Sequence, residues 1–257
     1  MVIPGSIPEV ALEAVSKRFR NAAVALEGVS LTIERGEFVT FLGPSGCGKS
    51  TLLKLVSGLS PVSEGKLQVN GMTPANARQL MSFIFQDATL LPWRTVEQNV
   101  GLELELEHTA RHASAQRVAD MLELVGLSNV AKRYPRQLSG GMKMRTSIAR
   151  ALVTRPRILL MDEPFAALDE ISRDRLNEEL LRLYAEQKWT VLFVTHSVAE
   201  AVFLSSRIVI LAAHPGRVAH EMRVDLPWPR TEETRESVEF EEHVTKASRL
   251  LRGVYQA

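Results

Sequence analysis

One cysteine in 257 residues, aromatics at 6% and a formal net charge of only +1 remove several function classes at the outset. A single thiol excludes an internal disulfide framework and suits a reducing compartment. Thirty-one Lys and Arg against 30 Asp and Glu leave no general field for nucleic acid or anionic lipid, so no nucleic-acid partner is expected. Long apolar runs are also missing: stretches such as Ile208 to Ala213 fall far below the roughly 20 residues that span a bilayer. Met1 to Val10 carries two prolines and an acid, with neither a basic n-region nor an apolar h-region, and does not read as a signal peptide. These absences predict a chain that stays in the cytoplasm. What is present, 45% apolar and 24% charged residues, is enough for a real core in one large domain or two small ones.

Against that background Gly43-Pro44-Ser45-Gly46-Cys47-Gly48-Lys49-Ser50-Thr51 fits the phosphate-loop pattern G-x-x-x-x-G-K-[ST] and follows the apolar run Phe38 to Leu42. Backbone N–H groups in such a loop wrap a polyphosphate, and the next helix turns its positive end on the same anion. Lys49 adds a full charge at the outer phosphates and Ser50 a hydroxyl for Mg²⁺. Cys47 occupies a variable position and reads as a small residue that fits.

The opening, Val10 to Leu67, has strand texture, with a turn at Glu34 to Glu37; Lys66 to Val69 precedes Asn70-Gly71, a hairpin-turn signal. A helix is predicted from Lys49 to about Ser57, stopped by Gly58, and Phe83 to Phe85 is a short strand. Residues Asp87 to Leu152 read as mainly helical: Val118, Met121, Leu122 and Val125 share one face and Gly126 ends the run. Strand texture returns at Ile158 to Met161, Val191 to Thr195 and Arg207 to Leu211, with an amphipathic helix at Arg173 to Gln187. Alternating strands and helices imply a mostly parallel sheet with helical crossovers. From Leu226-Pro227-Trp228-Pro229-Arg230 onward a proline-broken strap and a surface helix are expected.

Asp162-Glu163 closes the buried strand at Met161, where open α/β sheets bind ligands. An Asp-Glu pair there is by default a turn or a cap. With a phosphate loop upstream, Asp162 becomes a Mg²⁺ ligand and Glu163 the general base that polarises the attacking water. Leu138-Ser139-Gly140-Gly141-Met142 precedes a helix expected over Lys143 to Thr154, with Ser139 as N-cap, and offers a second anion cradle. Two cradles on one chain do not easily hold the same γ-phosphate, which points to a second copy of the chain supplying this one.

In this motif order the sequence resembles the nucleotide-binding subunits of ABC transporters, over about Val10 to Leu211. The resemblance implies an α/β P-loop NTPase fold: a mostly parallel core sheet, an antiparallel β subdomain and an inserted α-helical subdomain. The whole chain, 1–257, is then one nucleotide-binding domain, with core and β subdomain over about 8–86 and 153–225, helical subdomain over 87–152 and C-terminal strap and helix over 226–257. It implies ATP and Mg²⁺ as ligands and ATP hydrolysis as the activity. Gly43 to Thr51 looks like Walker A and Gln86 like the Q-loop glutamine, a Mg²⁺ ligand with Ser50 and Asp162. Ser139, Gly140 and Gly141 match the signature, Glu163 the catalytic glutamate, Asp169 in Ala167-Leu168-Asp169 the D-loop, and His196 the switch histidine. Phe19 falls where relatives stack an aromatic on adenine, or it is a core residue. Met144 stands where relatives usually have glutamine, and Ser197 where they have aspartate; Ser197 to Glu200 still makes a capping box.

Leu90-Leu91-Pro92-Trp93-Arg94-Thr95-Val96 and His214-Pro215-Gly216-Arg217-Val218 look like the nitrate, sulfonate and taurine import branch. That branch implies an integral-membrane permease touching the chain near Gln86 to Arg94, with Trp93 as an anchor if it is exposed rather than packed inside. It also implies a periplasmic solute-binding protein as an indirect partner, and a peripheral position on the cytoplasmic face of the inner membrane. The rival readings are an ATPase of another importer branch, a soluble ABC ATPase of DNA repair or translation, a non-hydrolysing scaffold and a GTPase. Soluble relatives usually carry coiled-coil insertions or two fused cassettes, which are missing here. Intact Glu163 and His196 oppose the scaffold, and the lack of an N-K-x-D segment opposes the GTPase. Nothing in the motifs reports the solute.

Overall fold

In a computed structural model, the structure describes residues 7–19, 24–107 and 110–256. Residues 1–6, part of the segment tested for a signal peptide, lie outside the described residues. Two sheets form the frame. Strands β1 (Val10–Arg18), β2 (Val24–Ile33) and β4 (Glu64–Val69) make an antiparallel sheet in the order β2-β1-β4. The larger sheet holds β3 (Phe38–Leu42), β5 (Met81–Ile84), β6 (Ile158–Asp162), β7 (Thr190–Val194), β8 (Arg207–Ala212) and β9 (Arg217–Arg223), in the order β5-β6-β7-β3-β8-β9. All neighbours in it run parallel except β8 and β9.

Every residue of β3 and β7 is buried, as expected of parallel strands covered on both faces, and this is why they read as unbroken apolar runs. Alternate residues feed two cores. Phe38, Leu42, Leu159, Met161, Val191 and Phe193 face one side with the helices α5 (Gly140–Leu152), α6 (Glu170–Gln187), α7 (Val198–Leu204) and α9 (Val238–Gln256). Val39, Phe41, Ile158, Leu160, Leu192 and Val194 face the other, with α1 (Lys49–Val56) and the antiparallel sheet. Between β5 and β6 the chain is helical: α2 (Val96–Val100), α3 (Leu102–Leu106), α4 (Arg111–Leu124) and α5. A short α8 (Glu232–Arg235) precedes α9. No helix among the described residues is long and apolar enough to cross a membrane.

Some expectations shift. Asn70 and Gly71 do turn at positive φ, 49° and 74°, but only the single bridge Val69–Met72 follows; β4 pairs with β1 instead of a hairpin partner. The helix after the signature begins at Gly140, not Lys143, because the Ser139 hydroxyl caps it by accepting from Met142 N at 3.3 Å. Helix α6 likewise begins at Glu170, three residues ahead of the expected Arg173, because Asp169 caps it, accepting from Ser172 N at 2.9 Å. The strand β9 was hidden in sequence by its charged alternation. The last helix is more than a surface element: Phe240 and Ala247 are buried where α9 packs on α7 and β8. Arg230 in the strap before it is 3% exposed and donates to the carbonyls of Val202, Phe203 and Ser205 at 2.9–3.0 Å, tying the strap to the end of α7.

Candidate functional site

The strand order assembles the site. In the adjacent strands β5, β6, β7 and β3 the chain leaves the carboxyl ends at Gln86, at Asp162-Glu163, at His196 and into the phosphate loop. Segments as far apart in sequence as Gly43 and His196 therefore share one edge, and parallel sheets place ligands there.

The loop is built around close backbone approaches. Gly48 sits at φ +95° as the N-cap of α1, and a Cβ there would lie 2.6 Å from the Leu26 side chain and 2.8 Å from Ala25 O. Side-chain capping is lacking at this helix start, so its free N–H groups and the positive end of the helix are left for an anion. Lys49 folds across the loop, donating to Gly43 O at 2.8 Å and Pro44 O at 2.9 Å. Cys47 is fully buried and lies 3.7 Å from Lys49 Nζ; burial pushes its thiol pKa up, so it is a packing residue.

Ser50 Oγ donates to Asp162 Oδ1 at 2.8 Å, bringing two of the expected metal ligands together. Burial raises the Asp162 carboxyl above the usual carboxylate range, the Ser50 bond opposes this and neighbouring Glu163 adds to it. Lys54 and Lys49 pull it back down, and hard oxygen donors of this kind suit Mg²⁺. Gln86 is exposed just past β5. Among the described residues no group of three or more His, Cys, Asp or Glu is gathered that could hold a metal ion.

Glu163 holds φ +47°, a left-handed conformation that costs a non-glycine residue roughly 1–3 kcal/mol and is typical of functional turns. Its N–H bonds Val194 O at 3.0 Å. Its carboxylate Oε2 lies 3.2 Å from His196 Nδ1, and the His196 side chain is 61% exposed, so the second ring nitrogen is open to a ligand.

The other candidates divide. Phe19 is 46% exposed with Lys17 Nζ 5.3 Å from its ring centroid, which rules out the core reading. Ser139 and Gly140 are exposed, and a Cβ on Gly141 would meet nothing within 4 Å. Among the described residues no hydrogen bond joins this cradle to the phosphate loop of the same chain. Asp169 is exposed, and the Ser172 amide holds its carboxyl below the usual range. Met144 is buried in the core beside Ile148, so the departure at this position falls on the packed face of α5. Ser197 caps α7, accepting from Glu200 N at 3.3 Å. Glu200 does not complete the expected box; its carboxylate accepts from the Thr195 hydroxyl instead, because it is drawn into the interior.

Three supports were not read from sequence. Gly216 N donates to Ala25 O at 3.2 Å and Glu27 N to Gly216 O at 2.9 Å, and a Cβ on Gly216 would fall 2.2 Å from Cys47 O; the turn before β9 thus backs the phosphate loop. Arg150 on α5 donates to Ala88 O at 2.9 Å and Thr89 O at 3.0 Å, fastening the segment after Gln86 to the signature helix. Asn99, fully buried, bonds the carbonyls of Leu91, Arg94 and Thr95 and the Leu91 amide at 2.8–3.2 Å. That pins the Leu91 to Thr95 turn with Trp93 70% exposed. Only Pro-Gly and the positions of Arg150 and Asn99 on helices hinted at these roles.

The ABC transporter profile matches residues 26–166, more than half of the chain. The chain belongs to the ABC transporter family. As an ABC cassette it binds and hydrolyses ATP. It is 48% identical over 206 residues to an aliphatic sulfonates import ATP-binding protein of Bacillus licheniformis, covering 80% of each chain. The namesake protein of Bacillus subtilis is 44% identical over 209 residues, 81% of each. An uncharacterised ABC transporter ATP-binding protein of Methanocaldococcus jannaschii is 44% identical over 232 residues, 90% of this chain and 86% of that one. Among solved structures, a dimeric ATP-binding cassette in a post-hydrolysis state with ADP and phosphate superposes with a TM-score of 0.75 at 32% identity, over 85% of this ABC chain and 100% of that one. The mixed architecture of a parallel core, an antiparallel sheet and an inserted helical region is thus that of the ABC cassettes.

Proposed function

We propose that this cassette is the energy-coupling subunit of an importer for a small solute of the nitrate, alkanesulfonate or taurine type, with aliphatic sulfonates favoured. The relatives named for sulfonate import support the solute class. The chemistry rests on one observation, the pairing of His196 with Glu163 beside the Ser50–Asp162 contact.

ATP binds with its phosphates in the loop from Gly43 to Thr51, and Lys49 leaves Gly43 O and Pro44 O for the outer phosphates. Ser50, Asp162 and Gln86 would hold Mg²⁺, which would neutralise phosphate charge there. Glu163 polarises the attacking water. His196 fixes that carboxylate through Nδ1 and keeps Nε2 for the γ-phosphate or the water. Phe19 stacks on adenine. Ser139, Gly140 and Gly141 serve the nucleotide of a second copy arranged head-to-tail, with Asp169 at the shared face; the dimeric cassettes of similar fold support the pairing of two copies. The permease docks near Gln86 to Arg94 on the cytoplasmic face of the membrane, and a periplasmic binding protein delivers the solute.

The test is reconstitution with the cognate permease and binding protein in proteoliposomes. ATP hydrolysis stimulated by an alkanesulfonate or taurine, and silent with a sugar, supports the reading; stimulation by unrelated solutes alone moves the chain to another importer branch.

A further inference from the structure

Behind the exposed imidazole of His196 lies a buried polar cluster that the reaction described above does not use. Glu200 on α7 is 6% exposed, and its carboxylate accepts from the Thr195 hydroxyl. That hydroxyl oxygen in turn accepts from Ser197 N at 3.0 Å, and Ser197 Oγ accepts from Glu200 N at 3.3 Å. His196 is therefore carried on a turn closed on both sides by hydrogen bonds that converge on Glu200. From the other side α6 brings Arg173 and Asn177, the latter 1% exposed. Arg173 Nη2 donates to Leu168 O at 2.9 Å, and Leu168 adjoins Asp169, the cap of α6.

The pairing in this cluster is incomplete. Glu200 Oε1, Asn177 Nδ2 and Oδ1, and Arg173 Nε are all buried without a hydrogen-bond partner. Burial raises the Glu200 carboxyl above the usual carboxylate range, opposed by the Thr195 hydroxyl, Arg173, the nearby Asn177 amide and His196. Unpaired groups that face one another in the interior pair fully after a small relative shift of the elements that carry them, since each unmade bond leaves a desolvated group uncompensated. Here those elements are α6, led by Leu168 and Asp169, and α7, led by His196.

We infer that Glu200 is a positioning residue for hydrolysis: with Arg173 and Asn177 it links the segment Leu168–Asp169 to the turn that presents His196 to Glu163. The inference rests on the role given to His196 above. Buried behind the imidazole, Glu200 acts through Thr195 and the turn. When the Leu168–Asp169 segment meets a second copy, Arg173 and Asn177 move against Glu200, and the His196–Glu163 pair is held in its productive geometry.

The experiment uses the purified full chain, with kcat, KM, ATP affinity from a fluorescent nucleotide, and melting temperature read for Glu200→Gln, Arg173→Gln, the double variant, Thr195→Val and His196→Ala. A misplaced catalytic group loses rate before binding, so Glu200→Gln and Arg173→Gln each lower kcat about tenfold with KM within about twofold. Because the two act as one unit, the double variant falls no further than the lower single variant. Arg173→Lys, which keeps the charge, recovers part of the rate. Wild-type kcat in folded Glu200→Gln, or additive losses in the double variant, overturn the link. If Glu200→Gln fails to fold, Thr195→Val decides, since it removes only the hydroxyl between carboxylate and turn, and wild-type kcat there overturns the link equally. Full activity in His196→Ala instead brings down the role of His196 itself; loss in His196→Ala with none in Glu200→Gln or Thr195→Val brings down the link alone.

Discussion

Ser50 Oγ donates a hydrogen bond to Asp162 Oδ1 at 2.8 Å, although 112 positions separate the two residues. The contact joins the first turn of α1 to the end of β6 and sets side by side the two oxygens proposed to hold Mg²⁺. Either Ser50→Ala or Asp162→Asn raises the Mg²⁺ concentration for half-maximal ATP hydrolysis by about 10–100-fold, the usual range for a ligand or its immediate support. A Mg²⁺ titration of the purified chain checks this.

Glu163→Gln keeps the shape of the side chain but removes the proposed base. Hydrolysis falls by about 10²–10⁴-fold, the range for loss of a general base, while nucleotide affinity is retained and an ATP-dependent dimer accumulates. Phosphate release and size-exclusion chromatography with ATP measure the two effects. Normal turnover would remove Glu163 from its role.

Gly216 backs the phosphate loop without touching a ligand. Its missing Cβ leaves room for Cys47 O and Ala25 O, so Gly216→Ala pushes the loop itself. Weaker ATP binding by about tenfold is expected, with a stability loss of roughly 1–3 kcal/mol from overpacking. Nucleotide titration and thermal unfolding report both.

Trp93 stands 70% exposed on a turn held by buried Asn99. Trp93→Ala leaves hydrolysis by the isolated chain unchanged and weakens its hold on the permease by about 2 kcal/mol or more, as for an aromatic anchor. Pull-down with detergent-solubilised permease is the measurement, and equal retention of the variant would place the interface elsewhere.

Tyr184 on α6 donates its hydroxyl to Gly36 O, and burial, with Glu37 adding to it, pushes its pKa up to about 12 from an ordinary 10. The unfolded chain loses this proton near pH 10 while the folded one keeps it, so the unfolded state binds fewer protons in that window. Stability is therefore intact below pH 10 and declines as pH rises through about 12. Chemical denaturation across pH 8–12 shows the decline, and Tyr184→Phe flattens it at a cost of about 1 kcal/mol at neutral pH.

The phosphate loop, the Asp162-Glu163 pair, Ser139 and His196 were legible because each sits where an apolar run stops, and that break in periodicity is visible in one dimension. The buried strands β3, β6 and β7 were legible for the same reason. Strand β9 was not, since Arg217, His220, Glu221 and Arg223 alternate with few apolar residues on an edge that needs only one covered face. The capping box at Ser197 was half right: the local pattern sends Glu200 back to the helix start, but burial beside Thr195 and Arg173 offers the carboxylate a better set of partners.

The sequence by itself determined the chemical inventory: which groups make the phosphate-loop pattern, which carboxylates follow a strand and which histidine follows another, because these depend on residue type and local backbone. Only the tertiary structure decided their company. The order β5-β6-β7-β3 brings Gln86, Glu163, His196 and Lys49 to one edge, and side-chain reach then pairs His196 with Glu163 and Ser50 with Asp162. Exposure was decided there too, since Phe19 and Trp93 are outside and Met144 inside. Such contacts join residues far apart in the chain, and their geometry is set by how the sheet stacks rather than by any local preference.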